Sequence, residues 1–269
     1  MSIHGLCVSR ACHSAGLSRS AWYRPLQNRL EYDWPVINAL QALSEKKLGL
    51  GFWKLYRRLR RQGHQWNHKR VHRVYCELKL NFRRRAKKRV PTRDPQPLLV
   101  PLAPNQVWSA DFMSDALYGG MRFRTFNVLD DFNREALAIE IDTSLTSERL
   151  IRVFKQLEEE RGLPDMLRTD NGPEFLGSVF TEWCEEHGIF IDYIEPGKPN
   201  QNAYIERFNK SYRNEVLDTW LFQNLDEVRE ITWHWMLEYN EERDHDGLDG
   251  LTPAEALEEA RNSTFEVST

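Results

Sequence analysis

The spacing of apolar positions divides the chain into stretches of different period. In GFWKLYRRLRRQGHQWNHKRVHRVYCELKL, residues 51–80, Phe52, Leu55, Tyr56 and Leu59 recur at i, i+3, i+4 and i+7. That spacing predicts an amphipathic helix whose remaining surface carries Arg57, Arg58, Arg60 and Arg61. QGHQW ends it, and Asn67 predicts the N-cap of a second helix. There Val71, Val74, Tyr75 and Leu78 face inward, leaving His68, Lys69, Arg70, His72 and Arg73 outside. Two helices joined by a short Gly-containing turn, the second rich in donors, predict helix-turn-helix docking on DNA through Lys69, Arg70 and Arg73. VSRACHSAGLSRSAWYR, residues 8–24, repeats the cadence more weakly, with a turn at Gly16 and a cap at Ser18.

From 105 onward the pattern is that of strands. NQVWSADFM, RFRTFNVLDD and EALAIEID read as three strands, followed by a helix in SERLIRVFKQLEEERG. DMLRT, SVFTEWCEEHG and IFIDYIE then give strand, helix, strand. The expected fold is α/β, a mixed five-stranded sheet with helices, preceded by an all-α region. In PNQNAYIERFNKSYRNEVLD a further helix places Tyr204, Phe208 and Tyr212 on one apolar line. Glu206 lies off that line and shares its polar side with Asn202, Lys210 and Arg213. Thr252, Pro253 and Glu255 mark a capping box that opens another helix.

Charge sharpens the division. Residues 1–100 hold 22 Lys and Arg against 5 Asp and Glu, whereas residues 101–269 hold 15 against 35. A basic front on an acidic back implies one part that grips a polyanion, with nucleic acid the foremost candidate. Between them RRRAKKR adds Arg83, Arg84, Arg85, Lys87, Lys88 and Arg89 as phosphate contacts. Pro91, Pro95, Pro97, Pro101 and Pro104 then predict an extended linker. The expected segments are 1–32 and 33–82, both helix-turn-helix, a linker at 83–104, a catalytic core at 105–220 and a helical tail at 221–269.

Four scattered cysteines predict no disulfide framework, and His64, His68 and His72 lack the cysteine pair of a zinc site. The N-terminus shows no signal peptide, and no apolar run is long enough to span a membrane. A cytoplasmic, nucleoid-associated protein is expected.

The candidate chemistry lies in carboxylates. RTDNGPEF sets Asp170 and Glu174 around a turn at the end of a strand, where active sites gather in α/β folds. Asp111 lies in the first strand of the same region and Glu206 on the later helix. Phosphodiester chemistry with a hydroxyl nucleophile is served by two hard cations held by a few carboxylates from separate elements. Asp170 and Glu206 are separated by 35 residues and Arg213 follows Glu206 by seven. This resembles the D,D(35)E signature of transposases and retroviral integrases.

NQVWSADFM, RTDNGPEF, KPNQNAYIERFN and YNEERDHDGLDGLTPAEAL together resemble the OrfB-type transposases of the IS-three insertion-sequence family, over nearly the whole chain. The resemblance implies a ribonuclease-H-like integrase core with Asp111, Asp170 and Glu206 as catalytic metal ligands. It further implies two Mg²⁺ (or Mn²⁺) ions, with Lys210 and Arg213 on DNA. Expected partners are the element's terminal repeats, target DNA, an upstream-frame OrfA-type protein or its frameshift fusion, and further copies of the chain. Copy-and-paste transposition through a circle is the implied route. One departure is Arg243-Asp244-His245, where the family reads Arg-Pro-His. The rival expectations are a non-catalytic DNA-binding regulator or inactive copy, and a nuclease on the same fold.

Overall fold

A computed structural model describes residues 7–24, 29–46, 50–81, 101–195 and 202–266, which fall into two compact units that divide between Arg83 and Arg84. Arg83 to Arg89 lie outside the described residues.

The first unit is all-α, with α1 Val8–Ser14, α2 Arg19–Tyr23, α3 Arg29–Lys46, α4 Phe52–Arg61 and α5 His68–Glu77. Its caps follow from sequence: Ser18 Oγ accepts from the Ala21 amide at 3.2 Å, and Asn67 Oδ1 accepts from the Lys69 amide at 2.8 Å. Leu55 and Leu59 of α4 and Val71, Val74 and Tyr75 of α5 close on Val36, Leu40 and Leu43 of α3. The apolar stripes of α4 and α5 thus find their partner in α3, and the boundary expected at 32/33 falls inside that helix. Arg58 is buried rather than part of the outer surface.

In the second unit the described strands are β1 Val107–Ala116, β2 Arg122–Asp130, β3 Ala136–Asp142, β4 Met166–Thr169 and β5 Phe190–Tyr193. They form one sheet of order β3-β2-β1-β4-β5. β1 is antiparallel to β2 and parallel to β4, and β5 is parallel to β4, so the sheet is mixed as its alternation predicted. The helices are α6 Ser147–Arg161, α7 Pro173–Leu176, α8 Ser178–Glu186, α9 Ala203–Tyr212, α10 Leu225–Glu241 and α11 Pro253–Glu266. The short helix α7 was not foreseen. The capping box is in place: Glu255 donates its amide to Thr252 Oγ1 at 3.1 Å, and the Thr252 amide reaches Glu255 Oε2 at 2.7 Å.

Side chains alternate across β1 and thereby divide the core. Trp108 and Ala110 face α6 and α8, packing with Leu150, Phe154, Phe180 and Trp183. On the opposite face Met113 packs with Phe123 of β2 and with Tyr212, and Asp111 shares that side by the same alternation. Phe208 of α9 lies against Leu129 of β2, so α9 covers this second face.

Two buried acids fix the start of β1. Asp130 accepts from the Asn105 amide at 3.0 Å and from Arg161 at 3.1 Å. Asp131 accepts from Ser109 Oγ at 2.7 Å and from Arg168 Nη1 at 3.0 Å. These are structural partners, as expected for a polar strand end.

Candidate active site

Asp111 sits midway along β1, directly opposite Asn127 of β2 in the antiparallel register. Its Oδ1 accepts from the Phe112 amide and its Oδ2 from Asn209 Nδ2, each at 2.8 Å. Asn209 lies on α9, one turn beyond Glu206, and its own Oδ1 accepts from Asn127 Nδ2 at 2.7 Å. The strand carboxylate is therefore tied to the helix through a buried amide.

β4 delivers the second acid. Its parallel register sets Arg168 beside Ser109, so the chain leaves the sheet at Asp170 next to Asp111. Asp170 Oδ1 accepts from the Gly172 amide at 3.0 Å. The Asn-Gly pair does not serve a left-handed turn, since Gly172 has φ −61° and Asn171 has no positive φ. Space explains the glycine: a Cβ there would lie 3.0 Å from Asp170 Oδ1 and 3.3 Å from Glu174 Oε2. Glu174 is ion-paired with Arg124 of β2, whose guanidinium stacks 4.4 Å from the Phe112 ring centroid.

The third acid, Glu206, is exposed on the first turn of α9, while Ile205, Phe208, Asn209 and Tyr212 make the buried face of that helix. Burial pushes the Asp111 carboxyl up to about 6, and the negative charges of Asp170 and Glu206 push the same way. The hydrogen bonds from Phe112 and Asn209 pull it back. The three carboxylates come from β1, the turn after β4, and α9, and Asp170 and Glu206 are near enough for their charges to act on Asp111. Among the described residues, the hydrogen-bond donors to Asp111 and Asp170 are neutral amides.

The basic residues separate into two sets. Lys69 and Lys210 are exposed. Arg70 and Arg73 instead hold α3, reaching the buried Asp33 at 3.0 Å and 2.7 Å. That contact keeps Asp33 below the ordinary carboxylate range against the opposing pull of desolvation. The α-helical hydrogen bonding of α9 gives way at Arg213–Leu217 to a π turn, a local widening often found near functional sites. Arg213 reaches Asp115 at 3.1 Å and donates to the Ser114 carbonyl at 2.9 Å, gripping the far end of β1. Asn202 is buried rather than on an open polar face. Arg243 of the variant tail pairs with Glu215 of the π turn at 2.6 Å, and His245 stacks edge-on to Tyr239. That tail anchors the end of α10 to the turn after α9.

Sequence reading missed Asn209, Asn127 and Arg124. For Asn209 the signal was its i+3 relation to Glu206; for Asn127, an amide standing alone among apolar neighbours in RFRTFNVLD. Arg124 carried no such signal, because its partner Glu174 is 50 residues away.

The family described as Integrase core domain matches residues 101–199 and, in a second form, residues 187–253; an HTH-like domain matches residues 39–89. The uncharacterized 31.7 kDa protein of insertion element IS407 of Burkholderia multivorans is 37% identical over 91% of this chain and 88% of its own length. The transposase for insertion sequence element IS629 of Shigella sonnei is 25% identical over 57% of this chain and 52% of its own. The HTLV-2 integrase catalytic core domain, solved in complex with magnesium, covers 58% of this chain and 97% of its own at 23% identity. Its TM-score of 0.47 is too low to bear on mechanism. No helix among the described residues is long and apolar enough to cross a membrane. With an HTH-like domain ahead of an integrase core, and a relative of that identity along most of its length, the chain belongs to the transposase family of insertion elements.

Proposed function

We propose that the protein cuts the ends of its element and joins them to another DNA strand, with Asp111, Asp170 and Glu206 as the catalytic carboxylates. The observation that carries this reading is a half-buried Asp111 on β1, tied to α9 through Asn209 and acted on by the two further negative charges of Asp170 and Glu206. Three hard oxygen donors brought together would suit a divalent cation, which would relieve their repulsion. Among the described residues no group of three His, Cys, Asp or Glu side chains lies close enough to hold a metal ion as it stands. The fit is one of donor chemistry, since carboxylate oxygens suit Mg²⁺ or Mn²⁺, and Asp170 and Glu206, both exposed, would have to be drawn toward Asp111 as ion and DNA arrive. When bound, such ions supply charge stabilisation to the attacking and leaving oxygens of phosphoryl transfer.

The chain's own residues supply position. Asp111 is held by β1 and α9 together, and Gly172 leaves room for the Asp170 carboxylate. The reaction needs no further reactant: water breaks a phosphodiester and frees a 3′-hydroxyl, whose oxygen then attacks a second phosphodiester and displaces its 3′-oxygen. Exposed Lys210, one turn after Glu206, would steady the DNA backbone, and Lys69 of α5 would bind end DNA in the first unit. Arg213 contributes by fixing α9 to β1, and the upstream-frame protein and further copies of the chain complete the assembly.

A junction PCR on cells carrying this frame with its native flanks and upstream frame tests the reading. A circle junction should form with the wild type and be lost with Asp111→Asn; equal junction yields from both would sink the assignment. Gly172→Ala should lower strand transfer roughly 10- to 100-fold by pushing Asp170 aside, since small misplacements of reacting groups cost that much. Its melting temperature should stay near that of the wild type, because Gly172 lies in a partly exposed turn outside the core, and unchanged transfer would show that the crowding is harmless.

A further inference from the structure

We infer that Asn127 is a positioning residue for this site: it orients the Asn209 amide so that the N–H, rather than the carbonyl, faces Asp111. The inference rests on Asp111 being a cation ligand, as proposed above.

A primary amide presents a donor at one end and an acceptor at the other, and a half-turn exchanges them. Were Asn209 turned around, its carbonyl oxygen would meet the Asp111 carboxylate and repel it. Asn127 decides the matter, because its Nδ2 donates to Asn209 Oδ1 at 2.7 Å and leaves Asn209 Nδ2 to donate to Asp111 Oδ2 at 2.8 Å. The register places Asn127 directly opposite Asp111, so the three side chains form a short relay from β2 through α9 to β1.

Packing does not account for the residue. Asn127 is fully buried, and on its face of β2 Phe123 packs with Tyr212 while Leu129 packs with Phe208. Thr125 on the same face is buried and polar as well, but of the two it is Asn127 that bonds a side chain of the site, while its own Oδ1 has no hydrogen-bond partner among the described residues, which is costly for a buried amide. Its described polar contact is the one donated to Asn209. Partners that orient a metal ligand from behind commonly change metal affinity 10- to 100-fold when removed.

The test uses the full chain with Mn²⁺ alone as probe, following free Mn²⁺ by electron paramagnetic resonance and unfolding by a thermal melt. Asn127→Leu should melt within several degrees of the wild type, since it relieves one unpaired buried oxygen and leaves another, yet bind Mn²⁺ about tenfold more weakly. Asn209→Leu should lose as much, and the double variant no more than Asn209→Leu alone, because the two act in series. Asn127→Asp keeps the shape but offers only acceptors, so it should draw the Asn209 N–H away from Asp111 and weaken binding at least as far. It serves as the deciding variant if Asn127→Leu does not fold. Wild-type Mn²⁺ affinity in a folded Asn127 variant, or fully additive losses, would overturn the relay. Asp111→Asn is the control: if it too binds Mn²⁺ normally, the ligand assignment itself has failed, whereas a loss confined to Asp111→Asn removes only the positioning role.

Discussion

Replacing Glu206 with glutamine should reduce strand transfer at least about a thousandfold while the protein still shifts end DNA in a gel. The variant keeps the shape of the side chain and removes one of three negative charges. Loss of several kcal/mol of transition-state stabilisation corresponds to that factor. The fold should not respond, because Glu206 is exposed and the buried face of α9 is made by its neighbours. Binding should persist for a related reason: the helix-turn-helix unit has its own core, closed by α3, α4 and α5, and does not depend on this carboxylate. If end binding fell in step with catalysis, the division between a binding unit and a cutting unit would be wrong. If transfer survived, Glu206 would not be a ligand.

Arg168→Met should give the larger loss of stability, about 3–5 kcal/mol near pH 8, measured by denaturant unfolding. Arg168 is nearly buried and bonds Asp131, which has no exposed surface, on one side and Asp192 at 3.1 Å on the other. Removing the guanidinium leaves the Asp131 charge in the interior with the Ser109 hydroxyl as its remaining hydrogen-bond donor among the described residues. The effect carries a pH signature. Burial already pushes the Asp131 carboxyl up to about 6 in the folded protein, despite the opposing pull of Arg168. A carboxyl raised in the folded state binds more protons there than in the unfolded chain, so its contribution to stability improves as pH falls. Without Arg168 the folded value rises further. The deficit should therefore be full at high pH and shrink as pH falls toward 6, where Asp131 protonates in both proteins. A deficit independent of pH would mean that Arg168 acts through packing alone.

Much of this protein is written in local order. Helices α4 and α5 were legible because their apolar residues recur on one stripe, and their caps because Ser18 and Asn67 need only reach amides two or three residues ahead. The sheet was legible because three strand-like runs are followed by helices and strands in alternation, an order that builds a mixed sheet. The carboxylates stood out by type, spacing and resemblance, although nothing local could show that Asp111 and Asp170 become neighbours. Arg70 and Arg73 show the opposite limit. Their outward position on α5 reads as a DNA surface, yet both reach back some forty residues to Asp33. Arg213 likewise reads as a free basic residue and proves to be fastened to β1.

The sequence by itself determined the order and type of the elements and the residues able to supply hard oxygen ligands, since these follow from periodicity, capping and side-chain chemistry along the chain, and its motifs carried the resemblance to the family. The tertiary structure alone decided which charges are already partnered, why Gly172 has no side chain, and how two buried amides join β2, α9 and Asp111. Those depend on strand register and on distances between residues some 50 to 100 positions apart, which no local pattern encodes.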